Sequence, residues 1–298
     1  MLGSRLARRL AEAGARVRAL DLPGCAASRL DGCGCEVAFG DVTERASLDA
    51  PMRGAKTVFH LAAAIVSRDP GAFRRVNVEG TRNVVAAASA AGVRHFVYVS
   101  SASVTYSRQT WYSRSKAEAE AIVRSQRDMP FTIVRPTLVY DRTGGQEIEM
   151  FMRYLRRLPV VPFVGSGRAL KRPVYSGDIV EGLARLAGNA GTHGQTYNFS
   201  GGEAITMMDL AGLLMRQAGL RRPIVPVPAF LWRAALWKLG VLVGSRALAG
   251  QIVSGFTEDA DLDNSQARRD IGFDPLPASV GIPRYFHRAP PRPAVRRR

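Results

Sequence analysis

The stretch that decides the fold is Phe96-Val-Tyr-Val-Ser-Ser-Ala-Ser-Val-Thr-Tyr-Ser-Arg-Gln-Thr-Trp-Tyr-Ser-Arg-Ser-Lys-Ala-Glu-Ala-Glu120. Its first four residues are apolar, alternating and β-branched, the pattern of a buried strand. The strand ends in hydroxyls at Ser100, Ser101 and Ser103. Tyr112–Ser125 is rich in Ala and Glu, has no Gly or Pro, and reads as a helix. Residues four apart share a helix face, so Tyr112 and Lys116 project together toward the serines. That grouping suits hydride chemistry at a carbonyl carbon. A free phenol titrates near pH ~10, and a nearby ammonium is expected to favour the phenolate. A serine hydroxyl can donate to an oxygen that gains charge. Lysine is scarce here, confined to positions 56, 116, 171 and 238 among many arginines, so Lys116 stands out.

Outward from this stretch, strands and helices alternate. Residues 4–13 form an amphipathic helix that Gly14 ends. Strands follow at Arg16–Leu20, Glu36–Phe39, Thr57–Leu61 and Arg94–Val99, with a helix over Asn77–Ala91. Past the Tyr-Lys helix come a buried strand at Phe131–Val134, a helix over 147–157, an apolar turn at Leu158–Val164, a helix at Asp178–Gly188, a strand at Gln195–Ser200 and a helix over 206–218. This alternation predicts an α/β fold built on a parallel, doubly wound sheet, with ligands at the strand carboxyl ends. Asp21 closes the first visible strand. An acid there can bond both ribose hydroxyls of adenosine, which favours NAD over NADP.

The set of motifs resembles the extended branch of the short-chain dehydrogenase/reductase superfamily, which holds the NAD-dependent epimerases and dehydratases of nucleotide-sugars. The resemblance runs from about Gly3 to Pro275 and is specific as a set. It implies a Rossmann-type domain over 1–140 and 174–200, and a smaller α/β substrate region over 141–173 and 201–288. Residues 289–298 are expected to form a disordered basic tail. It makes Tyr112 the catalytic acid/base, Lys116 its partner and Ser101 the carbonyl-orienting hydroxyl. Gly3, Asp21, Asp41, Val42, Leu61, Ala62, Ala63, Tyr112, Lys116 and Pro136 would bind NAD. Ser103, Lys171 and Arg172 would contact substrate, the two cations meeting a diphosphate. Asn77 in Asn77-Val-Glu-Gly-Thr81 would be structural, and Asn264–Pro275 would form the closing motif, a short helix ending at Gly before an aromatic and a Pro. A homodimer is expected through the helices at 77–91 and 112–125.

The family opens with a strand and a Gly-rich turn. This chain opens Met1-Leu2-Gly3-Ser4, which resembles only the last glycine of that turn. The missing strand is normally central, so neighbouring strands should carry unpaired backbone groups. Our expectation is that the given start is internal to a longer protein; a degraded relative is the alternative.

The reaction can be narrowed. Dehydratases of this family place an acid just after the polarising hydroxyl, where this chain has Ala102 and Ser103. Simple hydride transfer is therefore expected, by an NAD-dependent epimerase or ketosugar reductase acting on a nucleotide-sugar. The alternatives are a 3β-hydroxysteroid dehydrogenase-like oxidoreductase and a non-catalytic NAD-binding or assembly protein. The net charge of +17 comes mostly from arginines spread along the chain, and no basic stripe with interleaved aromatics argues for nucleic acid. Cys25, Cys33 and Cys35 lack the spacing of a metal site and read as free thiols, so no metal is expected and a cytoplasmic setting is. The apolar stretch Pro223–Phe256 is interrupted by Arg233, Lys238 and Arg246 and reads as a packed helix pair without membrane contact.

Overall fold

The computed structural model describes residues 2–25, 30–141, 146–157, 159–228, 231, 255 and 257–285. The tail at 289–298 and most of the 223–256 stretch lie outside the described residues. Strands β3 (Thr57–His60), β4 (His95–Val99), β5 (Phe131–Pro136) and β10 (Thr196–Phe199) form one parallel sheet in the order β10-β5-β4-β3. Strands β1 (Arg18–Asp21) and β2 (Glu36–Phe39) pair in parallel as a separate sheet. No strand pairing joins β1 to β3 among the described residues. The sheet is thus divided where the resemblance puts a central strand.

Parallel neighbours need crossover connections, and helices supply them. Helix α1 (Leu2–Glu12) precedes β1, α2 (Gly80–Ala90) links β3 to β4, and α3 (Trp111–Ser125) links β4 to β5. All five residues of β4 are buried, as befits an inner strand covered on both faces. Strand alternation sorts them. Phe96 and Tyr98 join a core with Val84, Ala88, Ala119 and Val123 of α2 and α3. Val97 and Val99 join the opposite core, with Leu6 of α1 and with Ile179 and Leu183 of α5 (Ser176–Ala184).

The predicted helix at 77–91 starts earlier than expected. A turn at Pro70–Phe73 runs through a wide π-type segment, Arg74–Glu79, into α2. Such a segment re-aims side chains, and here Asn77 is turned inward and buried. Gly80 follows because α2 passes close to the loop after β2: a Cβ there would lie 2.8 Å from Val42 Cγ2.

A third core gathers Tyr140, helix α4 (Gln146–Arg157), helix α6 (Met207–Gln217), and Ala278 and Ile282 of α8 (Ala278–Tyr285). It also holds β7 (Val161–Val164), where the sequence suggested a turn. Val161 and Phe163 are fully buried, and β7 pairs in parallel with β12 (Ile224–Val227), some sixty residues on. That distant partner turns an apolar connection into a strand. Short pairs tie this region together: β6 (Val139–Tyr140) with β9 (Val174–Tyr175), and β8 (Leu170–Lys171) with β11 (Ile205–Thr206). The closing segment behaves as expected. Helix α7 (Ser265–Ile271) stops at Gly272, which takes the left-handed conformation (φ 61°), and Phe273 stacks on Phe199 with ring centroids 4.4 Å apart.

Candidate active site

The site is assembled where β4 ends and α3 begins. Ser101 leaves the strand in extended conformation and caps a 3-10 turn, Ala102–Thr105. Its Oγ accepts from the Ser103 N–H at 3.2 Å and lies 3.0 Å from Ser103 Oγ. Helix α3 starts with a capping box: Ser113 N donates to Thr110 Oγ1 at 3.1 Å, and Thr110 N donates to Ser113 Oγ at 2.7 Å. This fixes the first turn, which carries Tyr112, and sets Lys116 one turn further on. Tyr112 is half-buried and packs edge-on against Phe73, and the Ser101 side chain eases its ionisation.

Lys116 is buried. Its Nζ donates to the Val99 carbonyl at 2.7 Å and lies 4.3 Å from the centre of the Tyr98 ring. Burial pushes its pKa down to about 7, opposed by the negative charge of Glu120. The Tyr112 phenol moves the other way. Burial raises it, the charge of Glu147 raises it further, and the Ser101 side chain only partly offsets them. The expectation that the ammonium would pull Tyr112 down is not met in this state. Both groups sit in a dry environment that disfavours either charged form, so Tyr112 holds its proton firmly.

The positions expected to bind cofactor sit at strand ends. Asp21 is exposed at the end of β1, with Oδ1 accepting from Leu22 N at 2.9 Å. Asp41 accepts from Thr43 N at 2.8 Å, and the Val42 carbonyl accepts from Asn83 Nδ2 at 2.9 Å. Leu61, Ala62 and Ala63 follow β3 directly, with Ala62 exposed. Pro136 is buried at the end of β5. Gly3 lies in the first turn of α1, with open space where a Cβ would be. An exposed carboxylate at one strand end, small side chains at another and the hydroxyl–phenol–ammonium group at a third fit the two ends of a dinucleotide.

Asn77 links these parts. Its Oδ1 accepts from Ala64 N at 2.8 Å, and its Nδ2 donates to Ala64 O at 3.0 Å and to Ser115 Oγ at 2.9 Å. One buried amide therefore ties the loop after β3 to the helix that carries Tyr112 and Lys116.

On the substrate side the two expected cations part company. Lys171 is buried; its Nζ donates to the Glu258 carbonyl and lies 5.7 Å from the centre of the Tyr106 ring. Burial brings its pKa down to about 8 against the pull of Glu147, Asp259 and Glu258. Arg172 is engaged in an ion pair with Asp261. Glu147, in the first turn of α4, was not singled out in the sequence. Its surface is open, yet protein crowds around it enough to raise its pKa, and its charge bears on Tyr112, Tyr106 and Lys171 together. Nothing in the spacing of the chain links position 147 to 112; the signal lies only in the folded arrangement.

The sequence model of the NAD dependent epimerase/dehydratase family matches residues 1–200. Among curated relatives, a 4-hydroxy-2-methyl-3-oxo-4-farnesyl-3,4-dihydroquinoline-1-oxide ketoreductase of Stigmatella aurantiaca is 27% identical, over 91% of this chain and 88% of its own. A 3β-hydroxysteroid dehydrogenase/Δ5→4-isomerase of Mycobacterium tuberculosis is 29% identical, over 81% of this chain and 75% of its own. Among solved structures, a dTDP-glucose 4,6-dehydratase of Streptomyces venezuelae with NAD bound shares the fold at a TM-score of 0.75, with 22% identity over 95% of this chain and 92% of that chain.

Proposed function

The chain belongs to the NAD dependent epimerase/dehydratase family, and on that premise we propose that it interconverts a secondary alcohol and a ketone on a nucleotide-sugar, as an epimerase or a ketosugar reductase. The observation that carries this reading is the buried Lys116, one helical turn after Tyr112, whose ammonium donates to the Val99 carbonyl at the end of the strand that leads into Ser101. NAD supplies the hydride acceptor or donor when bound. Asp21 would take the adenosine ribose, and Gly3 with the start of α1 would meet the pyrophosphate. Asp41 and Val42 would lie by the adenine, and Leu61, Ala62 and Ala63 would leave room beneath the phosphates. Pro136 would border the nicotinamide end.

The chain's own groups divide the proton work. Ser101 donates a hydrogen bond to the substrate oxygen and orients it beside the phenol. Tyr112 gives its proton to that oxygen in reduction and takes it back in oxidation. A phenol held protonated suits the reductive direction, since it enters loaded with the proton it must deliver. Lys116 stabilises the phenolate left behind.

Substrate recognition falls to Ser103 and Lys171, with Glu147 and Tyr106 beside them. The exposed Glu147 carboxylate, whose charge acts on both Tyr112 and the buried Lys171, suits a substrate rich in hydroxyls, which supports the sugar. The second reading is an apolar ketone or alcohol, as in the ketoreductase and the hydroxysteroid dehydrogenase among the relatives. It is favoured because the Arg172 guanidinium, expected at a diphosphate, is engaged by Asp261. We assign a cofactor domain over 1–140 and 174–200 and a substrate region over 141–173 and 201–288, with Ala267, Ile271 and Phe273 of the second packing into a core of the first. A homodimer through α2 and α3 and a cytoplasmic setting complete the proposal. Three unpaired cysteines fit a reducing compartment, and no helix among the described residues is long and apolar enough to cross a membrane.

The test is a substrate panel followed by nicotinamide absorbance. UDP- and dTDP-hexoses with NAD, their keto forms with NADH, and 3β-hydroxysteroids with NAD are compared, and chromatography of the sugar nucleotides reads epimerisation, which leaves the absorbance unchanged. Turnover of the sugar nucleotides alone supports the first reading; turnover of the steroids alone replaces it with the second.

A further inference from the structure

Lys116 is followed one helical turn later by Glu120, and the two are 2% and 5% exposed. A buried carboxylate is tolerated only when it is paired and hydrogen-bonded. Arg135 of β5 provides this: its Nε donates to Oε1 at 2.8 Å and its second nitrogen to Oε2 at 2.6 Å, a bidentate fork. Arg124 stands 3.6 Å from the same Oε2. The groups that bear on the Lys116 ammonium are the Tyr98 ring and Val99 carbonyl of β4, His60 of β3, and Glu120 of α3. His60 is buried, 3.0 Å from Thr81 Oγ1, and neutral at physiological pH. Glu120 is therefore the negative member of this set.

We infer that Glu120 is a positioning residue of the site: clamped by Arg135, it keeps a fixed negative charge one turn behind Lys116 and so keeps that ammonium charged beneath Tyr112. The inference rests on the proposed role of Lys116 and adds to it a second layer that no spacing rule assigns. Arg135 acts through Glu120, and neither touches the substrate.

The chain has four lysines, so carbon-13 labelling of lysine gives a spectrum in which each can be followed. Lys116→Met identifies its signal. In Glu120→Gln the Lys116 midpoint should fall by roughly one to two pH units, the size of a lost opposite charge at this spacing. Glu120→Asp should restore most of it. Because Glu120→Gln leaves Arg135 uncompensated, the double variant Glu120→Gln/Arg135→Gln is titrated beside it and should also show a lowered midpoint. In turnover, the alkaline limb of the pH profile should move down with the midpoint, while NAD affinity stays within about twofold. A Lys116 midpoint that stays within about 0.3 of the parent in folded variants overturns the inference, as does an alkaline limb that does not move. Tyr112→Phe with undiminished turnover would instead defeat the reading of the site and leave the lysine titration intact, so the two failures are distinguishable.

Discussion

Replacing Lys116 by Met should stabilise the protein at neutral pH while abolishing its chemistry. Burial takes the ammonium from its ordinary 10.5 to about 7. Each pH unit of that difference is worth about 1.4 kcal/mol. The folded pKa lies below the unfolded one, so the unfolded chain binds more protons between pH 7 and 10.5, and stability rises with pH across that window. At pH 7 the folded state therefore carries a penalty of about 4 kcal/mol relative to an uncharged side chain. Methionine has a similar length and no charge, so it removes the penalty. It also leaves the Val99 carbonyl without its 2.7 Å donor, which costs about 1–2 kcal/mol. The net gain is about 2–3 kcal/mol at pH 7, or a Tm higher by roughly 4–10 °C for a chain of this size. By pH 10 the wild-type lysine is neutral, the gain vanishes, and the variant becomes slightly the weaker. Urea denaturation of both proteins from pH 6 to 10 reads this crossover. A variant that is weaker at every pH, with the same dependence as wild type, would refute the reasoning.

Asn77→Ala removes the clamp between the Ala64 loop and Ser115 and should lower stability by about 2–3 kcal/mol in urea titrations, since buried backbone groups lose their partners. Gly80→Ala drives a methyl against Val42 and should cost about 1–3 kcal/mol by the same assay. Asp21→Ala should weaken NAD binding by roughly 10- to 100-fold in calorimetry while narrowing the preference against NADP. Glu147→Gln removes a charge that raises the Tyr112 phenol, so the phenol should ionise at lower pH; the pH profile of turnover should move in that direction, with NAD affinity unchanged.

Much of this molecule was legible because its strands and helices announce themselves locally. The β4 run of Phe96–Val99 declares a two-faced buried strand, and the Ala- and Glu-rich run from Tyr112 declares α3. The i, i+4 spacing of Tyr112 and Lys116 on that helix is likewise read directly from the chain. What spacing missed depends on distant partners. β7 becomes a strand only because β12 lies beside it. Glu147 acts on Tyr112 only through the folded arrangement of α4. The Tyr112 phenol rises because burial, a property of the assembled core, outweighs charge. Arg172 pairs with Asp261, far along the chain, a partner that no local spacing announces.

The central claim is that Tyr112 moves the hydroxyl proton in an NAD-linked hydride transfer. The most direct measurement is single-turnover nicotinamide absorbance with the productive sugar nucleotide, run on wild type and Tyr112→Phe, with NAD affinity determined for both. NAD affinity should be equal in the two proteins, and the rate in the variant lower by roughly 10²–10⁴-fold. A Tyr112→Phe protein that binds NAD and turns over at the wild-type rate would contradict the claim.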